Sequence, residues 1–114
     1  PSASNKKKAE VLEKLKSYEM HINSNDENSL KLAIINLDKL LDSALLALNT
    51  KGETFVKRMQ NSRNKFKSYD AYDSVWKAHK IRNKIAHDTD FRTNLTELHK
   101  AYNDLRSNII HLMK

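Results

Sequence analysis

Cysteine is absent from this sequence, and glycine and proline occur once each, as Gly52 and Pro1. Without cysteine there is no disulfide framework, no thiol nucleophile and no thiolate metal site. Strands need tight turns rich in Gly, Pro and Asn-Gly pairs, and this chain lacks that chemistry. All-β and α/β folds are excluded on that ground, and helices remain. A Gly-rich phosphate loop falls with them, because one glycine cannot build it. No apolar run approaches the roughly 20 residues that span a bilayer. What is present is 114 residues and 13.2 kDa, 39% hydrophobic and 31% charged. That composition makes one domain with a modest core under a heavily solvated surface. It reads as soluble and cytoplasmic.

The chain opens on Pro1 rather than Met, with a polar stretch to Asn5 and then Lys6-Lys7-Lys8. Residues 1–5 read as a disordered tail, either a tag remnant or a cut linker, ahead of one helical domain over 6–114. The expectation is a longer parent chain, whose missing N-terminus would be the place for an anchor or signal.

The net charge of +7 is unevenly placed. Residues 1–50 hold seven basic and seven acidic side chains, whereas 51–114 hold 14 and seven. The densest basic stretch is Lys57, Arg58, Arg63, Lys65 and Lys67, with no acid between Glu53 and Asp70. Such a cluster attracts polyanions through its field and through counterion release. With Lys84 it forms the candidate nucleic-acid-binding set; the plainer reading is a solvated face that keeps the protein in solution.

Apolar spacing predicts five helices. The first covers about Lys6–Ile22, with Val11, Leu15, Tyr18 and Ile22 on one face, and Asn23 to Asp26 break it. The second, Glu27–Asn49, carries a stripe of Leu30, Ile34, Leu37, Leu41, Ala44 and Leu48, widened by Ala33, Leu40 and Leu45. That width suits the centre of a bundle. Leu32, Ile35 and Leu46 lie on its other side, and Gly52 is the expected left-handed terminator. A short basic helix follows over Glu53–Asn61, anchored by Phe55, Val56 and Met59, then a loop or frayed end from Ser62 to Ser68. The fourth helix, Asp70–His87, presents Tyr72, Trp76, His79, Asn83 and Ala86, with Val75, Ala78, Arg82 and Ile85 to one side. The fifth starts at a Thr93 or Asn94 cap and carries Leu95, Leu98, Tyr102, Leu105, Ile109 and Leu112. The expected fold is all-α, a four- to five-helix up-and-down bundle.

Most catalytic signatures are missing. No His pair has the spacing of a helical zinc site, and His87, Asp88 and Asp90 are too close in sequence to converge on a metal. No metal or other cofactor is expected. One segment remains: Arg82-Asn83-Lys84-Ile85-Ala86-His87. Asn83 and His87, four apart, share a helical face, and Arg82 lies about 140° round from His87 on a regular helix. Arg grips phosphate with two hydrogen bonds, His moves protons near neutral pH, and Asn orients either. Arg106 and His111 repeat the spacing without the Asn, so spacing alone decides little. Context adds weight, because Arg82 and Asn83 interrupt a face that Trp76 would continue as core. A polar group there needs a partner, a cleft or an interface.

The run from Trp76 to Asp88 resembles the signature helix of the HEPN superfamily, helical bundles with an Arg-x4–6-His motif in which Asn often follows the Arg. The likeness is strongest over residues 69–91; Leu30 to Met59, with its Lys51-Gly52-Glu53-Thr54 connection, is similar to small bacterial members. The resemblance implies a metal-independent endoribonuclease of toxin or defence type that dimerises so that two motifs face one cleft. It gives Arg82 the scissile phosphate, His87 the acid or base role and Asn83 the positioning of both. Attack by the 2′-hydroxyl then leaves a cyclic phosphate. Toxins paired with nucleotidyltransferase antitoxins carry a modified Tyr two residues after the His, where this chain has Thr89, so an antitoxin of that type is not expected to act here. The same family also contains noncatalytic modules that bind RNA, a nucleotide or a protein partner. His79 reads as a hydrogen-bonded packing histidine, Trp76 as core, and His21, His99 and His111 as side chains without a role.

Overall fold

The structure is a computed structural model that describes residues 3–114. It is all-α, with helices α1 (Ala3–Glu19), α2 (Glu27–Ala47), α3 (Phe55–Gln60), α4 (Tyr69–His87) and α5 (Leu95–Leu112). No strand occurs among the described residues. Residues 3–5, expected in a disordered tail, belong to α1 instead, and Ser4 Oγ donates to the Ala47 carbonyl at 3.2 Å. Residues 1–2 lie outside the described residues. At its other end α1 stops at Glu19, three residues before Ile22.

The later helices begin where a short polar side chain can accept from an otherwise unpaired N–H. Asp26 caps Ser29 at 2.9 Å, Thr54 caps Lys57 at 3.2 Å, Ser68 caps Ala71 at 3.0 Å and Asn94 caps Glu97 at 2.8 Å. Of the two expected caps for α5, Asn94 is the one that forms. Between α3 and α4 the ambiguous stretch holds a 3₁₀ turn, Arg63–Lys65, pinned by buried Ser62 and Phe66.

α2 packs against every other helix. Its Leu30, Ile34, Leu37, Leu41, Ala44 and Leu45 are fully buried, and they meet Leu98, Leu105 and Ile109 of α5, Val75 and Ala78 of α4, Val11 and Leu15 of α1, and Met59 of α3 in one core. Leu48 is only half-buried, and Leu32 and Leu46 are exposed on the outer side as expected. An ion pair from Arg106 to Glu19 ties α5 to α1. Burial raises the nearby Tyr102 phenol above its ordinary pKa, with the Glu19 charge adding to the effect and Arg106 opposing it.

The end of α2 differs from expectation. Asn49 (φ 58°), not Gly52, takes the left-handed position. Its N–H bonds the Leu46 carbonyl at 2.9 Å, and the Thr50 N–H bonds the Leu45 carbonyl at 3.1 Å, which is a Schellman closure. Gly52 (φ 138°) serves the next element instead: a Cβ there would stand 2.8 Å from Arg58 N, so only glycine lets α3 come this close. Gly52→Ala is expected to destabilise the fold by about 1–3 kcal/mol, read from urea unfolding, because strain and clash coincide at one residue.

Candidate active site on helix α4

α4 turns a different side to the core than its aromatic spacing suggests. Val75 and Ala78 are its deepest residues, with Tyr72 just buried, while Trp76, His79 and Asn83 are half-buried on the flank and Ala86 is exposed. The reason is α3, which lays Phe55 over that flank: its ring centroid lies 4.6 Å from His79 and 6.3 Å from Trp76. Tyr72 and Phe66 extend the aromatic row, edge to face. Counting from Val75, the core stripe runs through Ala78 to Arg82, so the arginine stands where the apolar core gives out.

What meets it there is Asp38 of α2, a carboxylate at 6% exposure inside an otherwise apolar face. His79 Nδ1 lies 3.0 and 3.1 Å from its two oxygens, and Arg82 Nε is 3.7 Å from Oδ2. A buried carboxylate needs such partners. Its oxygens accept hydrogen bonds only, so in neutral His79 the ring proton sits on Nδ1. Arg82 Nη1 also donates to Asn83 Oδ1 at 3.1 Å. The Arg82–Asn83 part of the motif is therefore joined, and its anchor on α2 carries no sequence motif.

His87 is not joined to it. α4 stays α-helical to His87, which is exposed and has no hydrogen bond or ion pair to another described side chain. Within one chain, the regular helix keeps His87 about 140° round from Arg82. Thr89, at the position where the resemblance calls for Tyr, is exposed in the turn after α4. The competing pair resolves differently: Arg106 is committed to Glu19, and His111 lines a separate polar groove with Lys67, Lys100 and Lys114.

The basic candidates divide. Arg58 is withdrawn: Nε and Nη2 bind Asp42 at 2.6 and 2.7 Å, and Nη1 donates to the Gly52 carbonyl at 2.9 Å. That fork holds α3 on α2, and the Asp42 hydrogen bond raises the guanidinium further above its ordinary pKa. Arg63 lies over the Tyr69 ring at 5.0 Å and Lys84 Nζ is 5.9 Å from the Phe91 ring. Lys57, Lys65 and Lys67 are exposed.

Ile35, Asp38, Lys39, Asp42, Phe55, His79 and Arg82 line one open cleft of about 310 Å³ between α2 and α4. Among the described residues no three His, Asp or Glu side chains group as metal ligands, and no helix is long and apolar enough to cross a membrane. No family model, curated protein or solved structure matches this chain.

Proposed function

We propose that this protein is a HEPN-like, metal-independent endoribonuclease of toxin or defence type, acting as a homodimer. The observation that carries the reading is Arg82: a guanidinium fixed by Asn83 and Asp38 at the mouth of a cleft, with N–H groups to spare. An arginine held in that way is ready to bind a phosphodiester and to stabilise the extra charge of its transition state. The exposed Lys57, Arg63, Lys65 and Lys67 supply long-range attraction for RNA, and His87, open to solvent on α4 with Arg82, supplies acid–base chemistry. Because Arg82 and His87 lie apart within one chain, this reading requires a second copy to bring its own His87 toward the cleft.

That separation also supports a second reading, a noncatalytic module that holds RNA, a nucleotide or a protein partner at the same surface. RNA cleavage in EDTA separates the two. Under the first reading the wild type cleaves, His87→Ala loses about 10²-fold or more in rate, and His111→Ala does not. Salt-dependent RNA binding without cleavage establishes the module instead.

A further inference from the structure

His79 is 17% exposed through its side chain and lines the α2–α4 cleft beside Arg82. Its Nδ1 is engaged by Asp38, and its Nε2 has no partner among the described residues. In the neutral ring, with its proton on Nδ1 facing Asp38, Nε2 offers a lone pair. A buried carboxylate that fixes a histidine's tautomer and aim is the arrangement that readies the other nitrogen for a ligand.

The neighbours define the ligand. Asp42 is neutralised by Arg58 and Asp38 is paired with Arg82, Lys39 adds positive charge to the cleft, and Arg82 presents the N–H groups used by neither Asn83 nor Asp38. A hydrogen-bond acceptor beside a guanidinium is complementary to a donor beside an anion. Ribose carries that pair as its 2′-hydroxyl and 3′-phosphate, and the 2′-hydroxyl is what distinguishes RNA from DNA.

We propose that the α2–α4 cleft is a ribonucleotide subsite: Arg82 holds the 3′-phosphate, and His79 Nε2 accepts a hydrogen bond from the adjacent 2′-hydroxyl. Asp38 is the positioning residue, and Phe55 and Ile35 form the apolar walls. The inference rests on the ribonuclease reading for its substrate class and adds to it an imidazole outside the Arg82–His87 motif.

The test is nitrogen-15 NMR of the histidine rings in the whole chain, with cytidine 3′-monophosphate as the probe and its 2′-deoxy analogue as the comparison. The free protein is expected to show His79 protonated on Nδ1. The ribonucleotide should shift the Nε2 resonance, with the deoxy analogue at least about threefold weaker, the order of one hydrogen bond. His79→Asn keeps a donor for Asp38 but has no Nε2, so it is expected to fold normally and bind both probes with equal affinity. A His79 signal unmoved by the ribonucleotide, or equal affinity of the wild type for both probes, overturns the subsite. These outcomes are read whether or not the protein cleaves RNA, so failure of the nuclease reading shows separately, as intact RNA in EDTA.

Discussion

Under the proposed ribonuclease reading, Arg82→Ala is expected to lower RNA cleavage by about 10³- to 10⁵-fold, the range over which a transition-state arginine acts in phosphoryl transfer. The argument is geometric. The Arg82 guanidinium alone combines a fixed mount, an open edge and a place in the cleft, with Nε against Asp38 and Nη1 on Asn83. Arg82→Lys is the sharper variant. It keeps a cation near Asp38, so the unfolding midpoint should stay close to wild type. The planar fork is lost, however, and cleavage should still fall about 10²-fold. If Arg82→Lys cleaves like the wild type, a bare charge suffices and the fork has no role. Single-turnover rates in EDTA, measured beside urea unfolding, give both halves of the comparison.

The largest stability effect belongs to α2. Leu41→Ala is expected to cost about 3–5 kcal/mol, because Leu41 is fully buried in the helix that packs against all the others. A domain of this size has about 5–15 kcal/mol in total, so the variant should unfold at much lower urea with an unchanged slope. Leu32, on the outer side of the same helix and 60% exposed, provides the contrast. Leu32→Ala should stay within about 0.5 kcal/mol of the wild type. Equal losses from both would mean that the outer face is covered in solution.

The helices were legible because periodicity and polar breaks are local properties of a sequence. The caps at Asp26, Thr54, Ser68 and Asn94 all sit within two residues of the expected helix starts. The rotation of α4 was harder to read. Trp76 and His79 looked like the centre of its buried face, but Phe55 covers them from α3, and the deepest residues are the smaller Val75 and Ala78. Gly52 also looked like a terminator, whereas its backbone serves the close approach of α3.

Asp38 carried the faintest signal. It lies four residues after Ile34 and three before Leu41, on the edge of the buried stripe, and that is the only local hint that the carboxylate is enclosed. Its partner His79 is 41 residues away, and Arg58 is 16 residues from Asp42. Pairings across helices depend on packing, which no spacing rule contains. Arg82 and Asn83 were visible as a polar interruption of an apolar face; what anchors Arg82 was not.

The most direct measurement is the chemistry of the RNA ends left by the wild-type protein in EDTA, read by mass spectrometry of a short defined oligonucleotide. Attack by the 2′-hydroxyl at a phosphate held by Arg82 predicts 2′,3′-cyclic phosphate and 5′-hydroxyl ends. Intact RNA, or 3′-hydroxyl and 5′-phosphate ends, would contradict the account.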